Sequence, residues 1–570
     1  MTKQDYDLHE KEFVEEPFLA QLETQKWIIK RLTSSQKPED SFRDSFNDVV
    51  LVPELKKAIL NINPWLEEDQ LPDLFKRITS FSTASLIESN KTILQLLTEN
   101  TSTDVNRQTS EVSPTVRYID FKNIEKNSFL AVSQMKFRVP GTDNFIYPDI
   151  VLFVNGLPLI VIECKSPKKN NPIGDAIDDL MDYSGQSGES YKKLCNQQLF
   201  NYNQFIIATD RNRAKFGTIT TNIEKYFYRW TDPYPYSIDD LEHGDSSPNE
   251  QQRLILGMLS HDNLLSIIKS FTIFSSNNEG KSIKIVGRYQ QFRAVKKSIQ
   301  KLLSGNNRLE KSGIIWHTQG SGKSLTMMFM VREMYHHEQL RKFKVLFITD
   351  RTQLEDQLNT TSQSIGFTVN VADSIAKLKD YLRTDSSDLV MGMIHKFQPS
   401  DLEIVFPILN PSPNILIMID EAHRSIYKKL GANLDKALPN AARIAYTGTP
   451  TDKTEKEFKD YIDKYTMRQA IDDGVTLEIV YEGRTHKAQI DNKTDADKRF
   501  EDVFSDYNIE ERLQILGFGT RDAYLEAQTT IEAKAVDMVK HYIYQVFPNG
   551  FKAQVVANSR DAATRYKDAL

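Results

Sequence analysis

At 570 residues, with 39% hydrophobic and 26% charged residues, the sequence has an ordinary globular make-up and is too long for one core; roughly three or four domains of ~150 residues are expected. No apolar run is long enough for a membrane span, and Met1-Thr2-Lys3-Gln4-Asp5 lacks the basic-then-apolar pattern of a signal peptide. Two cysteines, Cys164 and Cys195, cannot make a disulfide framework at this size, which fits a reducing, cytoplasmic setting. The net charge of −6 excludes a whole-chain electrostatic footprint for nucleic acid and leaves any such contact to local grooves.

Residues 10–100 pattern as amphipathic helices, clearest at 54–60 and 71–78, with a break at Asn63-Pro64. Residues 101–114 are polar and are expected as a loop leading into a sheet. Strand-like runs follow at 129–132, 150–154, 159–162 and 205–208. A second polar stretch, 242–252, marks the first expected boundary. From about residue 270, apolar runs at 314–316, 345–348, 390–394, 415–419 and 444–446 alternate with helical segments, the pattern of a parallel, doubly wound sheet. No internal repeat is visible. The expected blocks are a helical region with an α/β domain over 1–260, a parallel-sheet domain over 261–462, and the start of a second such domain over 463–570, with a first strand at 553–557.

In the first block, Asp149 precedes the run 150–154, Asn155-Gly156 marks a tight turn, and the return run ends in Glu163-Cys164-Lys165. Because side chains alternate along a strand, Glu163 and Lys165 share a face. A three-residue loop, or a compensating bulge, would set Asp149 opposite Glu163, whereas a plain two-residue loop would pair it with Ile162 and turn it to the wrong face. Two carboxylates and the Cys164 carbonyl could then hold Mg²⁺ through oxygen, with Lys165 positioning or helping to activate the attacking water. The bland reading is a hairpin with solvated charges; the placement of the acids at the ends of apolar strands favours the site.

In the second block, Ile314-Ile315-Trp316 runs into His317-Thr318-Gln319-Gly320-Ser321-Gly322-Lys323-Ser324 and then a helix over 325–334, the strand-loop-helix setting of a phosphate-binding loop. Thr318, Gly320, Ser321, Gly322, Lys323 and Ser324 are the candidate nucleotide contacts. Lys323 would reach the β- and γ-phosphates and Ser324 would ligate Mg²⁺. His317 stands where the strict pattern has its first glycine. The run 415–419 ends in Asp420-Glu421, where Asp420 would hold Mg²⁺ through water and Glu421 would polarise the attacking water.

Taken in order, Arg288-Tyr289-Gln290-Gln291-Phe292, Ile348-Thr349-Asp350-Arg351, Asp420-Glu421-Ala422-His423 and Tyr446-Thr447-Gly448-Thr449-Pro450 resemble the motifs of superfamily 2 helicase-type motors. The phrase from Pro148 to Pro167 is similar to the nuclease region of the restriction (R, or HsdR) subunit of type I restriction-modification enzymes. The resemblance extends from about residue 10 to residue 570. It implies a PD-(D/E)xK nuclease-like α/β domain followed by RecA-like doubly wound motor domains. On that analogy Gln291 reads adenine, His423, Thr447 and Thr449 couple hydrolysis to movement, and Asp149, Glu163 and Lys165 cut DNA. The family's Gln-x₃-Tyr element has its nearest match in Asp179 and Tyr183, so the tyrosine fits and the glutamine does not. The chain is expected to be an N-terminal part of a longer subunit, because no room is left for the later motor motifs, and Arg560 is not placed to serve the γ-phosphate.

The resemblance thus implies an ATP-dependent translocase and Mg²⁺-dependent endonuclease acting on double-stranded DNA, with modification and specificity subunits as partners. Two alternatives stay open on the sequence: a helicase-nuclease repair factor without a recognition partner, and a nucleic-acid-binding ATPase whose N-terminal hairpin is only a scaffold.

Overall fold

Seven strands laid down in chain order form the N-terminal sheet: β1 (Ile28–Arg31), β2 (Phe129–Ser133), β3 (Ile150–Val154), β4 (Leu157–Cys164), β5 (Phe205–Thr209), β6 (Ala214–Gly217) and β7 (Tyr228–Arg229). β1 runs parallel to β2 and β4 to β5, while the other neighbours are antiparallel. β3 and β4 are unbroken apolar runs up to Glu163 because both sheet faces are covered; all their residues are buried. Helices α1 (Lys3–Glu10) and α2 (Glu16–Thr24), joined through a π-turn at Lys11–Glu15, lead into β1, and α3 (Pro172–Ser184) packs on β4 and β5. This computed structural model describes residues 3–81, 85–99, 101–186, 194–241, 247–277, 279–349, 369–393, 405–420, 425–450, 458, 460–478 and 525–570.

The helices expected at 54–60 and 71–78 are Val52–Ile62 and Leu71–Thr79. The stretch 101–114, expected as a loop, instead carries two-residue ladders, Thr101–Ser102 with Thr115–Val116 and Val105–Asn106 with Glu111–Val112. Ladders that short leave no alternation for a sequence pattern to register. The end of the polar stretch 242–252 lies in α4 (Glu250–Leu259), which is bound to the N-terminal segment: Gln251 Nε2 donates to the Val14 carbonyl at 3.2 Å and Trp27 Nε1 to the Leu259 carbonyl at 2.9 Å.

The second sheet is wholly parallel, and parallel neighbours require crossover connections. Its strands are β8 (Gly313–His317), β9 (Lys344–Thr349), β10 (Val369–Ala372), β11 (Leu389–Met393), β12 (Ile415–Asp420), β13 (Ala442–Thr447) and β14 (Tyr461–Tyr465), in the order β10-β11-β9-β12-β13-β8-β14. The boundary expected at 462 falls inside β14, which pairs with β8. Helices α5 (Tyr289–Ser304) and α6 (Lys323–His336) pack together beside this sheet, and α5 also packs on β14. Since the strands are parallel, His317, Asp420 and Thr447 end three of them on one edge, where α/β sheets receive ligands.

By internal contacts the chain forms two units, Met1–Leu477 and Glu478–Leu570. Both sheets belong to the first, where one apolar cluster extends from Val14 to Ala470. In the second, helices Gln528–His541 and Arg560–Ala569 meet through Ile531, Ala562 and Tyr566. The strand expected at 553–557 is absent: these residues have no strand pairing and Val556 is 84% exposed. A strand needs a ladder partner, and the described residues of this unit offer none. No described helix is long and apolar enough to cross a membrane.

Candidate active site

The hairpin closes on a two-residue turn. Asn155 and Gly156 both take positive φ (54° and 78°), and Val154 faces Leu157. Asn155 is fixed there, its Oδ1 accepting from Ser128 N at 2.7 Å and its Nδ2 donating to the Tyr118 carbonyl at 2.8 Å. Such a turn alone would put Asp149 opposite Ile162. A β-bulge between Pro158 and Ile160 restores the register, so that Ile162 faces Ile150 and the next pair outward is Glu163 and Asp149.

Around that pair the protein gathers more charge than the motif predicts. Asp149 Oδ2 accepts from Cys164 N at 2.7 Å and its Oδ1 from Gln134 Nε2 at 2.9 Å. Lys165 Nζ stands 2.7 Å from Glu163 Oε1 and 2.7 Å from Asp179 Oδ2, which α3 delivers. Gln134 Nε2 also reaches Glu15 Oε2 at 2.8 Å, and Ser166 N donates to Glu10 Oε2 at 3.0 Å. Burial raises the carboxyls of Asp149 and Glu163 above the usual range, Glu163 strongly because Asp149 adds to the effect. Burial, with Asp149 nearby, pushes Glu10 and Glu15 up to about 7. Burial works against the Lys165 ammonium, but Glu163, Asp149, Asp179 and Glu10 outweigh it and hold the amine firmly charged.

Glu163 Oε2 is buried without a hydrogen-bond partner, beside a second carboxylate. That donor set suits a hard cation that takes oxygen ligands. No group of three or more His, Cys, Asp or Glu placed to hold a metal occurs among the described residues. The pair would therefore leave most coordination positions to water, as Mg²⁺ ordinarily does. Sequence reasoning missed Gln134, Glu10 and Glu15, which lie outside the hairpin, and left the role of Asp179 open.

At the second sheet, β8 ends at His317 and α6 begins at Lys323, with Gly320 and Gly322 at φ 81° and 83° between them. The left-handed φ at 322 favours glycine, and a Cβ there would lie 2.5 Å from Gln291 Nε2 and push that side chain aside. Gln291 Nε2 donates to the Gly322 carbonyl at 3.0 Å, and Lys323 Nζ to the His317 carbonyl at 3.3 Å. Ser321 Oγ is buried and unpartnered, Ser324 is half-buried at the start of α6, and Thr318 N donates to the Tyr465 carbonyl at 3.0 Å. Buried Asp420 accepts from Thr349 Oγ1 at 3.5 Å. Thr447 is buried, Thr449 is exposed, and Gly448 between them backs onto the loop: a Cβ there would stand 3.4 Å from Lys323 Nζ. Asp350, Arg351, Glu421, Ala422 and His423 lie outside the described residues.

Residues 7–225 match the family described as the type I restriction enzyme R protein N terminus, and residues 290–513 match the SWI2/SNF2 ATPase family. The chain is a relative of the endonuclease subunits of type I restriction enzymes. It is 29% identical to the MjaIXP endonuclease subunit of Methanocaldococcus jannaschii over 99% of this chain and 55% of that one. It is 30% identical to the HindI endonuclease subunit of Haemophilus influenzae over 96% and 52%. The chain thus spans about half the length of the curated relatives it matches. A solved nuclease-deletion mutant of the type ISP restriction-modification enzyme LlaGI, in complex with a DNA substrate mimic, is 15% identical and covers 49% of this chain and 31% of its own at a TM-score of 0.23, too low to bear on the fold. The two family matches fall on the two sheets: the R-protein region carries the Asp149–Glu163–Lys165 hairpin and the ATPase region the phosphate loop.

Proposed function

We propose that this chain is the nuclease and first motor portion of a type I restriction R subunit, cutting double-stranded DNA with Mg²⁺ and moving along it by hydrolysing ATP. The observation that carries the proposal is the bulged register that sets Asp149 opposite Glu163, with Lys165 on the same strand, in a chain that also carries a SWI2/SNF2 ATPase region. Asp149 and Glu163 would hold Mg²⁺, which supplies charge stabilisation and a more acidic water at the scissile phosphate. Lys165, held between Glu163 and Asp179, would present a positive charge to the scissile phosphate and position the attacking water.

For ATP, Lys323 and the loop N–H groups would cradle the phosphates, Ser324 and Asp420 would hold the accompanying Mg²⁺, Glu421 would orient water, and Gln291 would read the base. His423, Thr447 and Thr449 pass the hydrolytic state on; the backing of Gly448 against the loop supports that role. Target recognition and methylation would lie in modification and specificity subunits. In the assembled complex, Mg²⁺-dependent nicking of supercoiled plasmid should vanish in Glu163→Ala, and the subunit should co-purify with a methyltransferase subunit. Nicking without that partner would favour a repair factor, and nicking unaffected by Glu163→Ala would leave the hairpin a scaffold.

A further inference from the structure

His317 occupies the first position of the phosphate loop, where the strict pattern has a glycine, and its ring is wholly buried. The ring sits edge-on to Tyr465 with centroids 5.8 Å apart, and its Nε2 lies 2.9 Å from Asp463 Oδ2. Facing a carboxylate, Nε2 carries the proton, and Nδ1 is left without a partner. Asp463, on β14, is gripped in turn by Arg293 of α5: Nε donates to Oδ1 at 2.7 Å and Nη2 to Oδ2 at 2.9 Å. Lys297 Nζ adds a contact to Oδ1 at 3.1 Å. The remaining arm of Arg293 donates from Nη1 to Asp232 Oδ2 at 2.5 Å, and Asp232 belongs to the segment that follows β7 of the N-terminal sheet.

A buried ion pair fastening α5 to β14 would need neither the histidine nor Asp232. Here, however, the residue whose ring is held is also the residue whose carbonyl holds Lys323 Nζ at 3.3 Å. The same helix grips the loop's other end, since Gln291, two positions before Arg293, donates to the Gly322 carbonyl at 3.0 Å. α5 therefore clamps the loop at both ends, and it is tied to the N-terminal module through Arg293 and Asp232 and, just before the helix, through Arg288, whose guanidinium lies 3.8 Å from the centroid of the Tyr228 ring.

We infer that Arg293, Asp463 and His317 are positioning residues for the phosphate loop, and that Asp232 lets the N-terminal module set how firmly the loop holds a nucleoside triphosphate. The inference rests on the reading of this loop as an ATP site. None of the four residues touches the reacting atoms; they act through the carbonyl of His317 and the register of the loop.

The test measures binding of a fluorescent ATP analogue with Mg²⁺ to the chain, together with its nucleotide-free melting temperature, in the unaltered protein and in Asp232→Asn, His317→Leu and His317→Gln. Asp232→Asn removes only a half-buried charge and should weaken binding roughly fivefold while leaving the melting temperature unchanged. His317→Leu should weaken it roughly tenfold or more, and His317→Gln, whose amide can still donate to Asp463, should recover most of that loss. In the assembled enzyme these variants should raise the KM for ATP more than they lower kcat. Unaltered affinity in both Asp232→Asn and His317→Leu, or lowered melting temperatures with unaltered affinity, would show the network to be scaffolding and overturn the inference. If the unaltered chain bound no nucleotide, the ATP reading itself would fall and this one with it. Should His317→Leu fail to fold, Asp232→Asn decides alone.

Discussion

Asp179 Oδ2 lies 2.7 Å from Lys165 Nζ, so the position where the family pattern has a glutamine here supplies a second carboxylate to Lys165. Its side chain is 41% exposed, whereas that of Glu163, the other partner of the amine, is 3% exposed. Water screens the outer contact and leaves the inner one dominant. Asp179→Ala is therefore expected to lower DNA cleavage by no more than about fivefold, and Asp179→Gln, which installs the family's amide, to stay within about threefold of the unaltered enzyme. Initial cleavage rates on one plasmid substrate check this; complete loss in Asp179→Gln would mean the carboxylate itself takes part in the chemistry.

The turn that starts β4 makes a stability prediction. A Cβ on Gly156, already at φ 78°, would fall 2.5 Å from the Leu51 carbonyl oxygen and 2.8 Å from Leu55 N, both backbone atoms that cannot step aside. Gly156→Ala should destabilise the protein by about 2 kcal/mol or more, from left-handed strain and the clash together. A thermal melt within a degree or so of the parent would contradict this packing.

How much of this was legible in the sequence differs from residue to residue. The period-two rule put Glu163 and Lys165 on one face, and the Asn155-Gly156 pair announced the turn. Nothing in Pro158-Leu159-Ile160 announced the bulge that carries Asp149 across from Glu163, because a bulge answers to packing around a strand as much as to its own side chains. Glu15 and Gln134 meet Asp149 only through tertiary folding, 119 residues separating the first two. The glycines and Lys323 of the phosphate loop were legible because a tight loop into a helix restricts residue choice locally. The partner of His317 was not, since Asp463 lies 146 residues away on a neighbouring strand. The strand expected at 553–557 failed for the reverse reason: its apolar pattern is local, but pairing is not.

Glu15 makes the N-terminal module sensitive to pH. Its carboxyl, pushed up to about 7 by burial and then by Asp149, keeps its proton in the folded protein over a range where the unfolded chain has lost it. The stability this contributes is complete below about pH 4.5 and declines as pH rises through about 7, by up to roughly 1.4 kcal/mol per pH unit. In chelator, Glu15→Gln should lose less stability than the parent between those values in denaturant titrations. Parallel pH profiles for the two proteins would refute the assignment.

At the motor site, Lys323→Ala and Asp420→Ala each remove a charge that would stabilise the transferring γ-phosphate. DNA-stimulated ATP hydrolysis by the assembled enzyme should fall by roughly a thousandfold in either variant. Near-normal turnover in Lys323→Ala would remove the loop from the reaction.

The central claim is that two chemistries reside on two separate sheets of one chain, and the most direct test measures both on the same preparations. Asp149→Ala, Glu163→Ala and Lys165→Ala alter the N-terminal hairpin and leave Lys323, Asp420 and the second sheet untouched. In the assembled complex, each variant should lose DNA cleavage while keeping DNA-stimulated ATP hydrolysis and translocation near the level of the unaltered enzyme. Persistent cleavage in all three, or loss of ATP hydrolysis together with cleavage, would contradict the account.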